Sequence, residues 1–81
     1  MKLTEFEKMV YTGLMHCEKF EDCDMLVKES IKMLNELKDQ ENIKPYYLTI
    51  ISNLSTMLQM MAHSLSVQQF KEELSKIVEL D

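Results

Sequence analysis

Apolar residues recur along most of this chain at alternating three- and four-residue steps, the period of one face of an α-helix. The first such run opens on Thr4-Glu5-Phe6-Glu7. This is a capping box: the Thr4 hydroxyl accepts the amide of Glu7, whose carboxylate reaches back to the Thr4 amide. Leu3, Phe6, Val10, Gly13, Cys17 and Phe20 then mark one seam, which Met9, Leu14 and Met15 broaden. Gly13 inside that seam costs up to about 1 kcal/mol of helix propensity relative to alanine. Close approach of a neighbouring helix would offset the cost.

A second run starts near Asp22, where Glu21, Asp22 and Asp24 sit at the positive end of a helix dipole. Its apolar side is Leu26, Val27, Ile31, Met33, Leu34 and Leu37, and lysines and glutamates occupy most of the other. The pattern breaks at Asp39-Gln40-Glu41-Asn42, and Pro45 suits the first turn of a third helix. There Tyr47, Ile51, Leu54, Leu58, Met61 and Leu65 form the seam, with Ile50 and Met57 widening one flank. Ser66 and Gln69 make a second capping box, and Leu65 and Phe70 are placed as a hydrophobic staple across it. The fourth seam is Val67, Phe70, Leu74, Ile77 and Val78.

The spacing thus predicts helices over 4–19, 22–40, 45–64 and 66–80. Their short connections imply antiparallel neighbours. The expected fold is all-α: a compact four-helix up-down bundle, or two packed helical hairpins, in a single domain spanning 1–81. One glycine, one proline and no tryptophan leave little material for β-hairpins. With 81 residues the core is small enough for dimerisation to help it, and a homodimer through the third helix is expected.

Charge changes the picture at one place. From Pro45 to Phe70, 26 residues hold no lysine, arginine, aspartate or glutamate, although the chain holds 9 lysines and 14 acids elsewhere. Only His63 there could carry charge near neutral pH. A surface helix normally shows water a charged face, so the third helix should be covered on more than one side, by the rest of the chain or by another molecule. Opposite its seam runs an uncharged polar stripe of Thr49, Ser52, Thr56, Gln59 and His63, with Met60 off the seam beside it. Charges are depleted at interface cores. These six residues are therefore the expected partner-binding surface, and the partner is another protein.

Other chemistry is weaker. No glycine-rich phosphate loop, HExxH or nucleophile elbow is present, and the carboxylates are scattered, so no enzyme activity, catalytic residue or cofactor is expected. The net charge of −5 and the absence of arginine argue against nucleic acid. The uncharged stretch is too polar for a membrane span, and acids near the amino terminus leave no signal-peptide pattern. A cytoplasmic location follows as the expectation.

His16, Cys17 and Cys23 hold zinc- or copper-type donors, and a metal-binding or metal-responsive protein is the alternative reading. Their spacing matches no common zinc motif, and packing of Cys17 in the seam with Cys23 at a turn accounts for them without metal. Met57, Met60 and Met61 could serve copper(I) or a recognition surface, yet methionine at helical spacing is usually core filler. The leading reading is a small acidic protein–protein interaction module, a regulator, adaptor or inhibitor of the kind phages and other mobile elements encode.

Overall fold

The computed structural model describes residues 1–79 and contains four α-helices: α1 (Glu5–His16), α2 (Phe20–Leu37), α3 (Tyr47–His63) and α4 (Val67–Ile77). A 3₁₀ turn, Lys44–Tyr46, precedes α3. Among the described residues the only extended pairing is a parallel bridge between Lys2 and Glu79. It joins the two ends of the fold, with the Glu79 amide donating to the Met1 carbonyl at 2.8 Å and the Met1 amino group to the Ile77 carbonyl.

The helices start where their caps dictate. Thr4 and Ser66 are extended and accept the amides of Glu7 and Gln69 at 3.4 and 3.1 Å. The reciprocal half of each box differs from expectation. Gln69 takes the Leu65 amide at 2.7 Å, one residue early, and the Glu7 carboxylate turns into the protein. The staple does not form: Phe70 is fully buried whereas Leu65 is 91% exposed. Once Ser64 leaves the helix in an extended conformation, Leu65 is carried outward.

Boundaries shift by a few residues. α1 ends at His16 because Cys17 adopts φ −74°, ψ 142°, its amide bonding Leu14 at 3.2 Å. α2 begins at Phe20 rather than 22 and ends at Leu37 rather than 40, after which Gln40 and Ile43 amides close successive turns. Pro45 lies in the 3₁₀ turn, where its fixed φ is equally at home. α4 ends at Ile77; the last residue of the expected 66–80 span lies outside the described residues.

α3 packs against all three other helices, most extensively α2. The core is Leu3, Val10, Leu14, Cys23, Val27, Leu34, Ile43, Ile50, Leu54, Met57, Met61, Phe70 and Leu74. Several seams are therefore rotated from their expected phase. In α3 the buried ridge is Ile50–Leu54–Met57–Met61, so the expected flank residues Ile50 and Met57 are central, and Tyr47, Ile51 and Leu58 are half-buried. In α1 the ridge is Glu7–Val10–Leu14; Met9 is 77% exposed. Met33 and Ile77, expected inside, are exposed, while Cys23, expected at a turn, is fully buried in the first turns of α2.

Gly13 is where α1 and α2 approach. A Cβ placed there would lie 2.8 Å from Leu26 Cδ2, inside normal contact. The glycine gives up helix propensity and admits the Leu26 side chain.

Candidate functional site

α3 is central, but only on one side. Thr49, Ser52, Gln59 and His63 are exposed, and Thr56 and Met60 are half-buried, with Met60 packed against the core. Leu48, Ser55 and Ala62 complete the exposed back, and Leu48 is 79% exposed. Of the two covers the sequence allows for the second side of α3, the described residues of the chain do not supply one, which leaves another molecule. Three helices suffice to bury one ridge of α3; none crosses behind it. Every other helix shows charges to water: Glu5 and Lys8 on α1, Glu21, Lys28 and Glu36 on α2, Glu72 and Lys76 on α4. The back of α3 shows none.

The hydroxyls of this stripe are partly self-satisfied. Thr56 donates to the Ser52 carbonyl at 3.0 Å, as Ser64 does to Met60 at 2.7 Å. A hydroxyl held by its own helix is already satisfied without a partner. Thr49 connects the stripe to a groove of about 840 Å³ at the start of α3, lined by Phe6, Met9, Ile43, Tyr46 and Ile50 among others. Met9, Tyr46 and Leu48 were not marked as surface residues by their spacing. The signal was available only in hindsight of phase: Met9 is adjacent to Val10, whose side of α1 is the buried one.

Asn53, on the same helix, faces inward and meets the one carboxylate that is buried among the described residues. Its side-chain amide donates to Glu7 Oε2 at 2.7 Å, and Thr4 donates to Oε1 at 3.3 Å. Glu7 is fully buried. Burial pushes its carboxyl above the usual range, and the bonds from Asn53 and Thr4 offset this only in part. Its oxygens are occupied by the fold, so Glu7 ties α1 to α3 and offers nothing to a ligand. Because the folded-state value exceeds the unfolded one, the proton-linked stabilisation is complete below the unfolded value. It is lost as pH rises through the folded value. Wild type should therefore gain more stability than Glu7→Gln on going from pH 7 to pH 5. Urea titrations of both proteins at the two pH values measure this, and equal gains would show that Glu7 is not the group responsible.

The metal reading loses one of its three donors. His16 is exposed, with Nδ1 held against the Thr12 carbonyl at 2.9 Å. Cys17 turns the other way, donating to the Gly13 carbonyl at 3.3 Å. Among the described residues no group of three histidines, cysteines or acids is placed to hold an ion. Cys17 and Cys23 do come together, and burial beside the Cys17 thiol pushes the Cys23 thiol up to about 11. Met57 and Met61 are core residues.

No helix among the described residues is long and apolar enough to cross a membrane. Compared with known proteins, the chain matches no family model, no curated protein and no solved structure.

Proposed function

We propose that this chain is a small acidic protein-binding module, acting in the cytoplasm by occluding or bridging a partner protein. Regulators, adaptors and inhibitors encoded by phages and other mobile elements work at this scale. The observation that carries the reading is the back of α3: Leu48, Ser52, Ser55, Gln59 and Ala62 are exposed yet no charge lies along them. A partner that covers this face desolvates no ion, whereas covering the outer side of α1, α2 or α4 would strip water from several. Charge depletion of this kind marks interface cores.

The same logic favours a homodimer. Two copies of a chain with net charge −5 repel one another. The uncharged back of α3 is where they can meet with least unfavourable field, and its small side chains allow helices to pack closely. Thr49, Ser52, Thr56, Gln59, Met60 and His63 are the proposed contacts, with the two half-buried members, Thr56 and Met60, at the edge.

Ser52 is the better place to test this than Thr56, because it is exposed and carries no core packing. Ser52→Arg is expected to weaken self-association or partner binding at least about tenfold, some 1.4 kcal/mol, with the circular dichroism spectrum unchanged. Light scattering over a concentration series, with affinity capture from the native host, provides the measurement. A wild type that stays monomeric and captures the same proteins as Ser52→Arg would remove the proposal.

The metal-binding alternative retains only its two cysteines. Their arrangement supports a different chemistry.

A further inference from the structure

The α1–α2 hairpin sets Cys17 and Cys23 opposite each other by register. Gly13 of α1 faces Leu26 of α2: the space a Cβ on Gly13 would need is taken by the Leu26 side chain, whose Cδ2 would lie 2.8 Å away. In an antiparallel pair, one turn further along α1 meets one turn earlier along α2. Four residues after Gly13 is Cys17, and three before Leu26 is Cys23. The Cys17 thiol indeed folds back to the Gly13 carbonyl, onto the face that α2 covers. Cys23 is fully buried there, and both sulfurs belong to the same apolar cluster, close enough to act on one another.

The two thiols differ in access. Cys17 is partly exposed at the end of α1, while Cys23 has no exposed surface. Lys71 reaches in from α4, donating to the Met15 carbonyl at 2.9 Å, and its ammonium acts on Cys23. A partly exposed thiol, a buried one beside it and a neighbouring cation are the parts of a two-step exchange.

We infer that Cys17 and Cys23 are a reversible dithiol–disulfide pair, oxidised by exchange with a low-molecular-weight disulfide of the glutathione type, which locks the α1–α2 hairpin. In the first step the Cys17 thiolate attacks one sulfur of the small disulfide. A mixed disulfide forms at Cys17, and one small thiol leaves with the proton Cys17 gave up. In the second step Cys23, held beside Cys17 by the packing of α2, gives up its proton and attacks the Cys17 sulfur. The second small thiol is displaced and leaves with that proton. Lys71 offsets only part of the burial that disfavours the Cys23 thiolate. Two protein thiols and one small disulfide become one protein disulfide and two small thiols. Atoms and electrons balance, and no other oxidant is needed. Without such a disulfide, burial holds Cys23 as the thiol and the pair rests reduced.

The test treats the full, folded chain with oxidised glutathione and follows intact mass, then digests it under non-reducing conditions. The expected product is lighter by two hydrogen atoms, with residues 17 and 23 in linked peptides, and reduction by dithiothreitol restores the original mass. Its Tm should rise by several degrees, on the order of 5–15 °C for so short a closed loop. Cys23→Ser should stop at the mixed disulfide on Cys17. Cys17→Ser, which leaves the buried core intact, should stay unmodified until denatured. Persistence of the mixed disulfide in the wild type would overturn the inference. So would intermolecular linkage as the main product, a lower Tm for the oxidised chain, or fast labelling of Cys23 in folded Cys17→Ser.

Discussion

In urea denaturation, Leu54→Ala is expected to lose about 2–5 kcal/mol relative to wild type. Leu54 is fully buried at the middle of the Ile50–Leu54–Met57–Met61 ridge, on the helix that contacts every other. Truncation removes the transfer free energy of the lost methyl groups and leaves a cavity that rigid neighbours fill only in part. A chain of 81 residues has a folding free energy of roughly 4–12 kcal/mol. The loss is therefore a large share of the total, and the midpoint should fall steeply. A shift below 1 kcal/mol would mean that α3 is not the centre of the core. Because Leu54 faces away from the exposed back, any residual folded protein should keep its partner contacts.

Phe70→Ala is expected to cost about 3–5 kcal/mol. Phe70 and Leu74 are the two fully buried residues of α4, and half-buried Val67 packs against the core beside them. Phe70 is the largest of the buried side chains that dock α4. Its loss should also loosen the pairing of Met1 and Glu79, which lies just beyond the end of α4. Hydrogen exchange reads this: α4 amides should lose protection before those of α2. Cooperative loss of all four helices together, at the wild-type midpoint, would contradict the assigned role.

Helix number and order were legible in the sequence because each signal is local. Thr4 and Ser66 cap wherever the chain runs extended into a helix, and Asp39–Asn42 cannot sustain an apolar stripe. The phase of each stripe was not local. The apolar arc of α3 is broad, running from Ile50 and Met57 through Leu54 to Ile51 and Leu58, so Ile51–Leu58–Leu65 and Ile50–Met57 fit a seam about equally well. What chose the second was the placement of α2 and α4. Glu7 failed differently: the capping box accounts for its position, and only Asn53, 46 residues away, explains where its carboxylate went. The candidate surface was found by an absence of charge, which is readable directly. That the chain leaves it open is a fact about the directions from which three helices approach.

By itself the sequence determined four helices, their caps and the uncharged character of α3. These follow from propensity, hydrogen-bonding chemistry within a few residues and composition. Only the tertiary structure decided which side of each helix is buried, that Glu7 sits inside and that Cys17 and Cys23 meet. It also decided that the back of α3 faces outward. Each of these depends on helix rotation and register, which packing between distant segments sets and no short window of residues contains.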